Sequence, residues 1–189
     1  MRTYFVTGLI GSGKSAVCAI LSGKGIPVYN SDSQTKALYD TVPGLVQRLE
    51  TELGASFSTE DGRLDRGALA ALLFSSREAR EKLEAIVYPL VRQDFIAWRE
   101  AQSGAPFVVL ESAVILSKPV FDGLADAVVA VTAPEELRLS RLIARGLTEE
   151  DARCRISAQS IDLSRADVII ENSGTLESLR EAVSRTFFS

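Results

Sequence analysis

Three kinds of residue in this chain could do chemistry: a lysine and a serine closing a glycine-rich loop, carboxylates near strand ends, and a run of arginines. The loop is Gly8-Leu9-Ile10-Gly11-Ser12-Gly13-Lys14-Ser15, a gapless match to G-x-x-x-x-G-K-[ST]. Glycines let such a loop turn sharply and bring its N–H groups to face one point, where they cradle phosphate oxygens. A following helix adds its positive N-terminal end. Gly8, Gly11, Ser12 and Gly13 are the expected nucleotide-binding positions; Lys14 would reach the β- and γ-phosphates, and Ser15 would ligate Mg²⁺. The loop predicts nucleoside triphosphate binding and leaves open whether the chain transfers a phosphoryl group or only switches on one.

The chain has no histidine, so any proton acceptor is most simply a carboxylate. Asp32 follows the second predicted strand by three residues, at the sheet edge that carries the loop. It could accept a hydroxyl proton or hold Mg²⁺, and it could equally cap a helix beginning near Ser33. Glu111 and Asp126 flank the third and fourth strands; each is a candidate metal neighbour or a surface or capping residue. Arg138, Arg141, Arg145, Arg153 and Arg155 cluster without a lysine, and the first three have one-face helical spacing. Planar bidentate donors suit phosphate oxygens, so a hinged helical lid breaking at Gly146-Leu147 is expected, Arg141 and Arg145 among its phosphate contacts. The alternative is a solvated helix paired with Glu135, Glu136, Glu149 and Glu150. Asn172-Ser173-Gly174 could meet an adenine ring or simply turn the chain into the last helix.

These residues need a scaffold. Five short apolar runs, at 3–7, 26–29, 107–110, 127–132 and 168–170, are nearly continuous rather than alternating, as in a sheet covered on both faces. Helical patterns lie between them, which predicts an α/β fold with a parallel five-stranded sheet. Thr132-Ala133-Pro134-Glu135, Thr148 with Asp151, and Gly174-Thr175 mark helix starts. From residue 30 to 106 only helical periodicity occurs, near 33–40, 45–53, 66–74 and 77–102, with a turn at Asp61-Gly62. That stretch is far longer than a crossover needs and is read as an inserted helical subdomain over 33–104. Residues 1–32 and 105–189 form the nucleotide-binding core, with the lid at about 138–160.

Composition bounds the partners. A chain of 189 residues with 46% hydrophobic and 24% charged residues can bury one good core. A net charge of −4 argues against a broad nucleic-acid surface. No apolar stretch is long enough to span a membrane, and the N-terminus has no signal-peptide layout. Cys18 and Cys154 read as reduced packing thiols of a cytoplasmic protein.

Taken together, the motifs resemble the dephospho-CoA kinase family along nearly the whole chain. Thr7 to Ser15 is similar to its T-G-G-I-G-S-G-K-S loop, with Leu9 at a free position. Gly25-Ile26-Pro27-Val28 followed by Asp32 resembles its second strand and D-x-D segment. Gly54, Asp61-Gly62-Arg63-Leu64-Asp65-Arg66, Leu69 and Phe74 resemble its D-G-x-L-x-R-x-x-L stretch, and Tyr88-Pro89-Leu90-Val91 its H-P-x-V segment. Ala158-Gln159, Ala166-Asp167 and Asn172-Ser173-Gly174 resemble three further elements. The resemblance implies a P-loop kinase core with a helical CoA-binding domain and a lid. It also implies transfer of the ATP γ-phosphoryl to the ribose 3′-hydroxyl of dephospho-CoA, with Mg²⁺, in a monomer or small homo-oligomer. By resemblance Asp32 is the base, Gly11 to Ala16 the ATP loop, Arg145 a lid arginine, and Arg66 and Tyr88 substrate contacts. Three positions depart from the family pattern: Asn30 for the first aspartate of D-x-D, Tyr88 for a histidine, and Ser117 for a glutamate. Asn30 leaves Asp32 as the single acid of that segment. Another small-molecule or nucleoside kinase, or a non-catalytic P-loop switch, remains the alternative; the N-K-x-D base reader of switch GTPases is missing from the sequence.

Overall fold

A computed structural model describes residues 1–188. Five strands, β1 (Arg2–Gly8), β2 (Val28–Asn30), β3 (Phe107–Glu111), β4 (Ala127–Thr132) and β5 (Val168–Glu171), form one parallel sheet in the order β2-β3-β1-β4-β5. The α/β expectation holds, with strand ends displaced by two residues at most. The register pairs Val6 with Glu111, Gly8 with Val131, Asn30 with Glu111 and Thr132 with Glu171. All of these lie at the carboxyl ends of the strands, so the loop leaving β1 emerges among them. Ligands of open α/β sheets bind at that edge.

The chain divides into two compact units, Met1–Asn30 with the chain from Gln102 onward, and Ser31–Ala101. In the first, α1 (Lys14–Gly23) and α8 (Leu176–Phe187) cover one sheet face. Val17, Cys18 and Leu21 of α1, and Leu179, Val183 and Phe187 of α8, pack on Tyr4, Val6, Val109, Val129 and Val131. The Tyr4 ring meets Phe107 and Phe187 edge-on at 5.1 and 4.9 Å, which seals the amino-terminal end of this layer. Cys18 is buried here, and burial first, then the nearby Glu111 charge, pushes its thiol far up, so it is an inert packing group. Cys154, expected to pack, instead lies exposed on a polar helix face.

Helices α6 (Glu135–Ala144) and α7 (Glu149–Ser157) form a hairpin about Gly146. Leu139, Leu142, Ala152 and Ile156 make its small core, against which Ile10 of the phosphate loop packs. Thr148 caps α7: its Oγ1 accepts from the Asp151 N–H at 3.1 Å and donates to the Asp151 carboxylate at 2.7 Å. Arg153 pairs with Glu149 at 2.8 Å, the solvated-helix arrangement, so this arginine is surface charge.

The second unit holds α2 (Ser31–Thr41), α3 (Leu45–Leu53), α4 (Arg66–Ser75) and α5 (Arg77–Glu100). Leu83, Ile86, Val87, Val91 and Phe95 repeat at helical spacing along the buried side of α5, which packs against the other three helices. Asp65 caps α4 by accepting from the Gly67 and Ala68 N–H groups. Between α3 and α4, Ser58 and Leu64 make an isolated antiparallel bridge around the Asp61-Gly62 turn. No helix among the described residues is long and apolar enough to cross a membrane.

Candidate active site

The phosphate loop is built by β1 delivering Gly8 and α1 receiving Lys14. Gly8 has φ +146°, and a Cβ there would overlap the Val131 carbonyl oxygen on the adjacent strand. Gly13 has φ +104°, and a Cβ there would overlap the Asn172 side-chain nitrogen. Both positions therefore demand glycine on conformation and on space.

The loop is braced from three directions. Arg141, on α6, donates to the carbonyls of Gly11 at 3.2 Å, Ser12 at 3.3 Å and Asn172 at 2.9 Å. Burial, then the neighbouring Arg145 charge, lowers the pKa of its guanidinium from the ordinary arginine value. Asn172, just past β5, donates from Nδ2 to the Ser12 carbonyl at 2.9 Å and is itself 7% exposed. Gln159, past the end of α7, accepts from the Ile10 N–H at 2.7 Å. Arg141 and Asn172 engage loop carbonyls, and Gln159 engages a loop N–H, so the backbone is held from both its acceptor and its donor side. Arg141 and Asn172, expected as nucleotide contacts, hold the loop's backbone in this structure.

Lys14 Nζ donates to the Gly8 carbonyl at 2.7 Å and the Leu9 carbonyl at 3.3 Å, so its ammonium lies along the loop's own rim. Ser15 Oγ donates to Glu111 Oε1 at 2.8 Å, while Asn30 Nδ2 donates to Glu111 Oε2 at 2.8 Å. Glu111, 8% exposed at the end of β3, is the acid that the sequence left undecided. Its signal was positional: a carboxylate closing a buried parallel strand, whose partner strand β1 runs straight into the loop. Asn30, the departure from D-x-D, supplies an amide to Glu111 where a carboxylate would repel it. Asp126 goes the other way. It accepts from the Thr3 N–H at 2.7 Å at the amino ends of the strands, so the metal reading is overturned.

An all-oxygen donor set of Ser15 and Glu111 beside the loop fits Mg²⁺, which takes few protein ligands and keeps phosphate and water oxygens. No group of three or more acidic, cysteine or histidine ligands occurs among the described residues.

In the helical unit, Asp32 lies exposed in the first turn of α2. The helix begins at Ser31, so Asp32 is not its cap, because a cap precedes the first helical residue. Tyr88 is half-buried on α5 and donates to Glu84 Oε1 at 3.3 Å. Burial, then Glu84, then the Asp32 charge raises its phenol pKa above the ordinary tyrosine range. Asp32 and Tyr88 thus share one electrostatic neighbourhood. Arg66 pairs with Asp40 at 3.1 Å and donates to the Lys36 carbonyl at 3.2 Å, both exposed contacts. Arg145 is the residue that ends α6; it is exposed, and its charge acts on the neighbouring Arg141.

A parallel sheet of this order with a braced G-x-x-x-x-G-K-S loop and an acid at the next strand end defines the P-loop kinase class. The dephospho-CoA kinase family model matches residues 4–178. A dephospho-CoA kinase from Porphyromonas gingivalis is 41% identical over 88% of this chain and 81% of its own. A crystal structure from Thermus thermophilus is 36% identical with a TM-score of 0.82, covering 97% of this chain and 95% of that one. A dephospho-CoA kinase structure from Campylobacter jejuni is 25% identical with a TM-score of 0.69, covering 98% and 95%. The chain belongs to the dephospho-CoA kinase family and is an ATP-dependent phosphotransferase.

Proposed function

We propose that this chain phosphorylates the ribose 3′-hydroxyl of dephospho-CoA from ATP, giving coenzyme A and ADP, the last step of coenzyme A synthesis. The observation that carries the nucleotide half is the braced loop. Arg141, Asn172 and Gln159 hold its peptides before any nucleotide arrives, so little reorganisation accompanies binding. Gly8, Gly11, Ser12, Gly13 and Ala16 enclose the phosphates, and Lys14 exchanges the Gly8 and Leu9 carbonyls for the β- and γ-oxygens. Mg²⁺, held by Ser15 with Glu111 behind it and Asp32 as the further acid, would offset charge on those oxygens. Asp32 takes the proton of the 3′-hydroxyl as its oxygen bonds to the γ-phosphorus and the bond to the ADP oxygen breaks. Arg145, exposed at the hairpin's turn, closes on the transferring group, with residues 138–160 as the lid. The helical insertion, about 33–104, holds the acceptor, with Arg66 and Tyr88 as its contacts. The neutral phenol of Tyr88 offers a hydrogen bond where a histidine would offer a charge. Low cysteine content supports a cytoplasmic enzyme.

The test is incubation of the full chain with Mg-ATP and dephospho-CoA, read by mass, with Asp32→Ala alongside. Coenzyme A from the wild type alone supports both the reaction and the base. ATP binding without product would send the assignment to another hydroxyl acceptor, and full activity in Asp32→Ala would remove Asp32 from the mechanism.

A further inference from the structure

Arg138 is the least satisfied charge in the described structure. It is 6% exposed, and its Nε and Nη1 are buried with no hydrogen-bond partner. Its one carboxylate neighbour, Glu135, is 3.7 Å from Nη2 and 62% exposed, too long for a hydrogen bond and shared with water. A buried cation with two unmet donors and only a long, solvent-exposed counter-charge is costly to the fold. A fold that keeps it has the cost offset elsewhere.

Its position says where. Arg138 sits directly behind the phosphate loop: a Cβ on Gly11 would lie 2.8 Å from the Arg138 carbonyl oxygen and 3.0 Å from its Cα and Cβ. One turn further along α6, Arg141 uses the same side of the helix to hold the Gly11 and Ser12 carbonyls. The Ser12 hydroxyl within the loop and the Thr7 hydroxyl before it are likewise buried without partners, as is the Thr3 hydroxyl near the start of the same strand. Arg141 has its donors occupied by backbone carbonyls, and Lys14 offers a solvent-reachable charge; Arg138 alone combines a full charge, burial and empty donors.

Building on the reading of the loop as a triphosphate site, we infer that Arg138 is a positioning residue for the polyphosphate. It is a fixed positive charge behind the loop whose counter-charge is the nucleotide's phosphates. Charge at this depth is little screened, so it acts over the width of the loop without touching the ligand. Its contribution must then scale with the number of phosphates. A residue that only packs α6 against the loop would affect every nucleotide alike.

Titration calorimetry of the full chain with ATP, ADP and adenosine separates these cases. Wild-type binding of ATP comes first; its failure would overturn the nucleotide reading itself, before any variant is compared. Arg138→Met, which keeps the stem and removes the charge, is expected to weaken ATP about tenfold and ADP less, and to leave adenosine unchanged. Arg138→Lys restores the charge and should hold the ATP-to-adenosine ratio within about threefold of wild type. Should Arg138→Met fail to fold, Arg138→Gln replaces it, and the ratio is compared between the Gln and Lys variants. Equal losses for ATP and adenosine, an unchanged ATP affinity in the neutral variant, or Lys behaving like Met would overturn the inference.

Discussion

The phosphate loop and the helical insertion hold their functional residues in opposite ways. In the loop, Arg141, Asn172, Gln159 and Glu111 each make hydrogen bonds across long sequence separations, most of them partly or wholly shielded from water. In the insertion, Asp32 and Arg66 stand exposed, and the Arg66–Asp40 pair is open to solvent on both sides. The nucleotide half is fixed by polar bonds that fail if one partner is lost. The helical insertion is fixed by apolar packing along α5, with Asp32 and Arg66 carried on the outside. Preorganised donors suit the phosphates, whose shape is constant. Under the proposed function, exposed side chains on packed helices would suit a large flexible acceptor that brings its own contacts.

This contrast can be broken at several points. Lys14→Ala is expected to cost the most, about a thousandfold or more in kcat/KM, since no other loop cation reaches the transferring group. Stopped-flow or steady-state kinetics near wild-type rates would contradict the loop assignment. Asp32→Ala should lower kcat by a factor of roughly 10²–10⁴ while the ATP dissociation constant stays unchanged, separating the two halves in one variant.

Gly13→Ala combines left-handed strain with overlap on Asn172, so it should destabilise the protein and weaken ATP binding together. Thermal unfolding with and without ATP reads this; Asn172→Ala, at about 1–3 kcal/mol, should be milder because it empties space instead of filling it. Arg66→Ala should shift stability by no more than about 0.5 kcal/mol, as befits an exposed ion pair. Its effect belongs in KM for dephospho-CoA, with KM for ATP unmoved; the reverse pattern would detach Arg66 from the acceptor.

The smallest effect is a pH dependence. Tyr88 has its phenol pKa raised in the folded state, chiefly by burial and then by Glu84, so the neutral form is favoured there. Its contribution to stability is complete below the ordinary tyrosine pKa of about 10. Above that pH the unfolded chain loses the proton first, and stability falls as pH rises. Urea unfolding of wild type should therefore weaken between about pH 9.5 and 11 more steeply than that of Tyr88→Phe. Parallel curves would show that the phenol titrates normally.

Local order along the chain was legible because local physics decides it. The glycine loop, the five apolar runs, the Thr148 cap and the helical stretch from residue 31 to 101 each carry their signal within a dozen residues. The loop motif also put Lys14 and Ser15 at the start of the helix that follows the first strand, where α1 begins. Pairing across the sheet was not legible. Glu111 and Asp126 look equivalent as acids flanking strands, yet the parallel register sends one to Ser15 and the other to the Thr3 amide at the far edge. Asn30 looks like a lost ligand until its amide is found on Glu111. Arg138, Arg141 and Arg145 look like one set by spacing, and the packing of α6 on the loop gives them three fates: buried with two donors unmet, bound to backbone carbonyls, and exposed. Residue type and spacing determine which chemistry is available, because they fix charge, donors and local geometry. Which atoms meet depends on contacts a hundred residues apart, and those exist only once the sheet has closed.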